Sequence, residues 1–226
     1  MTNPAVPGSE IPVITIDGPG GSGKGTIALR LAEHLGWHLL DSGALYRLTA
    51  LAVMKNQASL DDEGYLGELA GNLDICFEAD KKDVITRLDG QDVSDRLRSV
   101  ETSMLASKVA AIPAVRASLV NRQRLFRQTP GLVADGRDMG TVIFPDARLK
   151  IFLTASARIR TQRRYKQLKD KGESVNLTRL FREIKARDTR DQSRSISPLR
   201  PADDAVVIDS TNLNIDEVFS KVVELV

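Results

Sequence analysis

A chain of 226 residues is long enough for one large α/β domain, with or without an insertion, and it can bury most of its apolar surface without disulfides or a structural metal. Its hydrophobic (42%) and charged (27%) fractions are ordinary for a globular protein, and a single cysteine, Cys76, excludes an internal disulfide and fits a reducing compartment. Lys and Arg nearly balance Asp and Glu, for a net charge of +2, so the overall charge makes no case for a nucleic-acid polymer as partner. No apolar run reaches the length of a membrane span, and the first twelve residues lack the basic and apolar regions of a signal peptide. The expectation is a soluble, cytoplasmic protein with a flexible lead-in over residues 1–10 and no membrane association.

The first element is a short apolar strand, Pro12-Val-Ile-Thr-Ile-Asp17, followed by a glycine-rich turn. A helix is expected over Lys24 to Leu35, with Ile27, Ala28, Leu31 and Leu35 on one stripe and Gly36 as its C-cap. A second strand, Trp37 to Asp41, and a helix from Ser42-Gly43 to about Asn56 complete a βαβα opening, the signature of a parallel sheet. Between Leu73 and Val93 the rhythm breaks. Alternating residues, a second strand at Val84 to Leu88 and the turn pair Asp89-Gly90 predict a small antiparallel insertion, with Cys76 packed inside it. Helices are expected over Val100 to Ala111 and Pro113 to Gln128, proline being suited to a helix start. Three more strands follow, near Gly131 to Ala134, Leu149 to Leu153 and Ala205 to Asp209. Polar residues gather at their carboxyl ends, where open α/β sheets bind ligands.

The strongest chemical signal is Gly18-Pro19-Gly20-Gly21-Ser22-Gly23-Lys24-Gly25-Thr26, set between a strand and a helix. That context defines a phosphate-binding P-loop. Glycines let successive backbone N–H groups point into one concavity, the helix N-terminus adds partial positive charge, and Lys24 reaches the terminal phosphates of ATP. One feature departs from the general motif: Gly25 occupies the position after the lysine that normally carries Ser or Thr, and Thr26 comes next. Magnesium still has to neutralise the polyphosphate, and its protein ligand is open, with Thr26 the nearest hydroxyl.

A guanine-reading Asn-Lys-x-Asp segment is absent, the chain is short for a motor, and aromatic residues make up only 4%, which leaves few stacking platforms for single strands. A small-molecule kinase remains. It requires a second anion site opposite the P-loop, and Arg47 and Arg137 stand at or just past strand ends, where guanidinium forks can grip a phosphate. The helix after Leu153 carries Arg158, Arg160, Arg163, Arg164, Lys166 and Lys169; the next carries Arg187, Asp191 and Arg194 on one face. Such basic helices suit a lid, over about 155–195, that neutralises the transferring group and excludes water.

Leu40-Asp-Ser-Gly-Ala-Leu-Tyr-Arg47, Asp135-Gly-Arg-Asp-Met-Gly-Thr141 and Arg187-Asp-x-x-Asp191-x-x-Arg194, in this order and with this P-loop, resemble the bacterial cytidylate kinases, a branch of the nucleoside monophosphate kinases. The resemblance runs from about Ile11 to the C-terminus. It implies a single P-loop kinase domain over residues 11–226: a parallel sheet flanked by helices, a monophosphate-binding insertion over about 70–112 and a helical lid. It implies that Gly18 to Thr26 hold ATP, that Ser42, Arg47 and Arg137 line the phosphate end of the acceptor, and that Ser107, Arg116 and Asp138 read the cytosine edge. Arg187 and Asp191 then contact the ribose and Arg194 closes over the acceptor, while Arg158, Arg163 and Arg164 belong to the lid. The substrates implied are ATP with magnesium, and CMP or dCMP, converted to CDP or dCDP; the protein is expected to be a monomer.

The chemistry agrees with a cytosine-reading carboxylate. Cytosine offers an amino donor where uracil offers a carbonyl acceptor, so Asp138 accepts from the first and repels the second. A phosphate monoester is already anionic near neutral pH and needs no strong general base. His34 and His38 are therefore expected to be structural, and catalysis to rest on positioning and on Lys24, Mg²⁺, Arg137, Arg164, Arg187 and Arg194. Two alternatives remain at this stage: a kinase of the same architecture acting on UMP, AMP or shikimate, and a non-catalytic nucleotide-binding module.

Overall fold

The computed structural model describes residues 11–80, 83–97, 99–170 and 172–226. The lead-in expected over residues 1–10 lies outside the described residues. The chain forms two compact units: one runs up to Asp41 and resumes over Arg124–Val226, the other is Ser42–Gln123.

The first unit is built on a five-stranded, all-parallel sheet of β1 (Val13–Asp17), β2 (His38–Asp41), β6 (Leu132–Gly136), β7 (Leu149–Thr154) and β8 (Val206–Asp209), in the order β2-β6-β1-β7-β8. β1 sits at the centre and is buried along its whole length. That explains its mainly apolar sequence, broken only by Thr15 before the terminal Asp17: a parallel strand covered on both faces has no solvent side on which to alternate. The register lines up the carboxyl ends in one row, with Asp17 opposite Gly136, Asp41 opposite Asp135 and Thr154 opposite Asp209.

Helix α1 (Lys24–Leu35) lays Ile27, Ala28, Leu31 and Ala32 onto this sheet. They join Ile14, Ile16, Val133, Ile151 and Leu153 in one core, to which α9 (Ile215–Val223) adds Val218 and Val222. Ile27 and Leu31 are completely buried, each contributing about 1.5–3 kcal/mol by transfer out of water. Gly36, at a φ of 65°, ends α1 by donating its N–H to the Ala32 and Glu33 carbonyls. A capping box between Asn214 and Glu217 starts α9. The basic segment after β7 forms α7 (Ala157–Asp170) and α8 (Leu177–Ser193), packed together as a helical pair, with Asn176 capping α8 through the Arg179 N–H.

The second unit contains α2 (Ser42–Lys55), α3 (Glu63–Gly71), the antiparallel sheet β3 (Ile75–Asp80), β4 (Asp83–Leu88) and β5 (Gln91–Asp92), then α4 (Ser94–Leu97), α5 (Val100–Val109) and α6 (Pro113–Arg124). Ala44, Leu48, Leu51 and Ala52 of α2 pack against Leu73, Leu88, Val93 and Leu97. Asp89 (φ 49°) and Gly90 (φ 74°) are both left-handed, as a two-residue hairpin turn demands, and Leu88 pairs with Gln91 across it. The small antiparallel insertion is thus present where the turn chemistry placed it.

Three details differ from expectation. Helices α3 and α4 are additional, and α6 ends at Arg124 instead of reaching Gln128. Cys76 is exposed, because strand alternation turns the neighbouring Ile75 toward the core and the thiol away from it. Among the described residues no single helix is long and apolar enough to cross a membrane.

Candidate active site

In the sheet unit the loop from Gly18 to Thr26 joins β1 to α1. Gly23 takes a φ of 97° immediately before the helix, a conformation that favours glycine. At Gly18 a Cβ would stand 2.0 Å from the Leu153 carbonyl oxygen, so only glycine lets the loop leave β1 so close to β7. Ser22 is buried, and its N–H lies 3.4 Å from the Pro19 carbonyl oxygen. The outward carbonyls of the loop are held by α7: Arg160 donates to Gly20 O (3.0 Å) and Arg163 to Ser22 O (3.0 Å).

Lys24 stands 3.6 Å from Asp135 at the carboxyl end of β6. Its pKa is lowered to about 8, first by burial and then by the neighbouring Arg137 charge, with Asp135 opposing both. The same aspartate explains the unusual Gly25. A Cβ there would lie 3.1 Å from Asp135 Oδ2, so a serine or threonine in that position would crowd the carboxylate. The glycine keeps the space beside Asp135 open, and Thr26 stands exposed one residue on. A carboxylate and a hydroxyl are hard oxygen donors, and Mg²⁺ typically takes one or two protein carboxylates together with phosphates and water, so the donor set fits that ion.

Arg137 follows β6, and its Nε donates to Asp191 Oδ2 at 3.0 Å. Arg187 Nε lies 3.8 Å from the same oxygen, and Arg194 Nε donates to the Asp191 backbone carbonyl at 3.3 Å. Asp191 is buried, which works to raise its pKa; the Arg137, Arg187 and Arg194 charges overrule that and hold the carboxyl below the usual range. A Cβ at Gly20 would lie 3.5 Å from Arg137 Nη2 and 3.6 Å from Arg187 Nη1. The P-loop, two guanidinium groups and their shared carboxylate therefore meet in one place, and guanidinium forks beside a phosphate loop are suited to polyphosphate.

Asp138 is buried beside Arg137, at the start of a wide helical turn, Met139–Ile143. That turn is fastened by Asp17, the last residue of β1, whose two carboxylate oxygens accept the N–H groups of Met139 (2.9 Å) and Gly140 (2.8 Å). Burial pushes the pKa of Asp17 up to about 7, against the pull of those two amides.

The remaining sequence-predicted residues take the following places. Arg158 is exposed on α7, where it lines a groove with Leu177 and Phe181 of α8. Arg163 is committed to Ser22 O, Ser210 O and Oγ, and Leu213 O. Arg164 is half-buried, with Nη1 3.5 Å from Gln167 Oε1. In the helical unit Ser42 donates to Gln123 at 2.6 Å, and Arg116 donates to the Ala110 carbonyl (3.1 Å) with its guanidinium 5.6 Å from the Tyr46 ring centroid. Ser107 is buried on α5 and Arg47 half-buried on α2. Outside the site, His38 contacts the Thr129 carbonyl and His34 packs edge-on against Phe219.

Sequence reasoning did not single out Asp17, Gln123, Asp135 or Asp188 as site residues, and it placed Arg160 only among the basic residues of the lid helix. Asp17 and Asp135 carried a signal, since each closes a strand at the binding edge of the sheet. Asp188 sits beside Arg187, but its partner Arg160 is known only once α7 and α8 are seen to pack.

Fold and loop together define a P-loop nucleotide-binding protein whose phosphate cradle is joined by an arginine cluster. The family model for cytidylate kinase matches residues 14–226. A curated cytidylate kinase from Aeromonas salmonicida is 59% identical over 211 residues, covering 93% of this chain and 92% of the relative. One from Klebsiella pneumoniae is 55% identical over 216 residues, covering 96% and 95%. The chain belongs to the cytidylate kinase family. Among solved structures, an uncharacterized protein from Eubacterium ventriosum shares the fold, with a TM-score of 0.50 and 13% identity over 95% of this chain and 97% of that one.

Proposed function

We propose that the protein transfers the γ-phosphoryl group of ATP to CMP and dCMP, yielding ADP and CDP or dCDP. The observation that carries this reading is Asp191 gathering Arg137, Arg187 and Arg194 beside the P-loop glycine Gly20. The family's curated members, named cytidylate kinases, support the choice of acceptor.

Gly18 to Thr26 cradle the ATP phosphates, and Lys24 places its charge on the transferring group. Arg137 and Arg187, pre-oriented by Asp191, spread positive charge over the transferring phosphoryl oxygens without reorganising during the reaction. Arg194 closes over the acceptor, Arg187 and Asp191 meet its ribose, and Ser42, Arg47 and Arg137 take its phosphate. Ser107, Arg116 and Asp138 read cytosine, with Asp138 accepting from the amino group. Arg158 and Arg164 supply lid charge that keeps water from the γ-phosphate. Asp135 and Thr26 would hold Mg²⁺ with ATP, where the ion neutralises polyphosphate charge.

An acceptor panel of CMP, dCMP, UMP, AMP and shikimate, with ADP release coupled to detection, tests the reading. The cytidine nucleotides are expected to give the highest kcat/KM. A higher value for any other acceptor would contradict it, and ATP binding without transfer to any acceptor would favour a non-catalytic module.

A further inference from the structure

Arg160 is buried on α7, and each nitrogen of its guanidinium donates a hydrogen bond. Nε donates to the Ala155 carbonyl at 2.8 Å, Nη1 to the Gly20 carbonyl at 3.0 Å, and Nη1 and Nη2 donate in parallel to the two oxygens of Asp188. Asp188 is itself largely buried, with a side-chain exposure of 16%, and directly follows Arg187 on α8. One side chain thus ties three pieces together: the end of β7, the P-loop and the turn of α8 that carries Arg187. A two-pronged guanidinium–carboxylate pair fixes orientation as well as distance.

The bond to Gly20 has a second consequence. In a trans peptide the carbonyl and the following N–H point to opposite sides. Holding Gly20 O toward α7 turns the Gly21 N–H the other way, and Arg163 does the same for the Gly23 N–H by holding Ser22 O. A phosphate cradle needs its carbonyls kept outside in this manner.

We propose that Arg160 is a positioning residue of phosphoryl transfer, acting through Asp188: it holds the P-loop backbone and the Arg187 turn in one register. The proposal rests on the reading of Arg187 given under Proposed function. Its role is to set geometry, and a misplacement of the order of 1 Å costs about 100-fold in rate while binding survives.

The test uses the full chain carrying Asp188→Asn or Arg160→Lys. Each keeps size and some hydrogen bonding but loses the two-pronged ion pair. We expect kcat with CMP to fall roughly 10- to 100-fold. The KM values for ATP and CMP should stay within about twofold, and the urea midpoint read from Trp37 should stay near that of the unsubstituted chain. A kcat within about twofold of the parent in a folded variant overturns the proposal. So does a loss matched by the fraction of unfolded protein, or unfolding of both variants, because either result assigns the pair to the fold alone. If the parent chain fails to phosphorylate CMP, the proposed function fails; normal parent activity with normal variant activity sinks only the positioning role.

Discussion

Replacing Asp191 with alanine removes a carboxylate shared by Arg137 and Arg187. Its oxygen lies 3.0 Å from one Nε and 3.8 Å from the other, and only 5% of its side chain is exposed. At an effective dielectric of about 20, such separations correspond to attractions of roughly 4–6 kcal/mol each. Part of that is returned, because the arginines are partly exposed and the buried carboxylate no longer has to be desolvated. Breaking a buried pair by removing one partner costs about 3–5 kcal/mol, and we expect a loss in that range. For a chain of this length it corresponds to a fall in Tm of roughly 6–20 °C. Trp37, the only tryptophan, lies in the same compact unit as Asp191, so its fluorescence during urea unfolding reports the change. The loss should also depend on pH in a defined direction. The arginines hold the carboxyl below 3.8, so its stabilisation is present above that value and disappears as pH falls through the folded-state pKa. The gap between parent and variant should be complete above roughly pH 5 and narrow below about pH 4. A gap that stays unchanged as the pH is taken from above about 5 down past the folded-state pKa, or a variant as stable as the parent at neutral pH, would refute the reasoning.

Lys24→Ala should lower kcat by roughly 100- to 1000-fold with the fold retained, the loss expected for one preorganised charge at a transferring group; near-normal turnover would remove Lys24 from the mechanism. Asp138→Ala should raise the KM for CMP by about 10- to 100-fold and leave that for ATP within about twofold, since it strips a charged hydrogen bond from the base alone; equal losses for both substrates would deny it that role. Asp17 binds its proton more tightly folded than unfolded, because burial lifts its pKa from 3.8 to about 7. Its contribution is complete below 3.8, is lost as pH rises and is gone above about 7. Asp17→Asn, which does not titrate, should therefore gain stability relative to the parent between those values, by up to roughly 4 kcal/mol. A pH-independent difference in unfolding free energy would show that Asp17 is not the group responsible.

The parts legible in the sequence are those fixed by local chemistry. The phosphate loop announces itself through glycines at fixed offsets from Lys24, and β1 through a short, mainly β-branched apolar run that leads into it. The hairpin was readable because Asp89-Gly90 can adopt two consecutive left-handed conformations. Helix α3 was hidden by Gly64, Gly67 and Gly71, which lower its propensity. Gly67 serves a close approach instead: a Cβ there would lie 3.1 Å from the Ala114 Cβ. The reason for Gly25 is invisible without β6, since only the folded sheet brings Asp135 beside it. Likewise, Asp17 reaches the amides of Met139 and Gly140 only because β1 and β6 pair in register, and the Arg160–Asp188 pair exists only because α7 and α8 pack together. Residues whose partners are brought together by tertiary packing leave little trace in sequence spacing.

The most direct measurement follows the phosphoryl group itself, using ATP labelled in its γ-phosphoryl group and offered with CMP. The label should appear at the terminal position of CDP, one equivalent for each ADP released, and the yield should collapse in Lys24→Ala. Label recovered as inorganic phosphate while CMP stays unchanged would show that water, and not the cytidine nucleotide, is the acceptor.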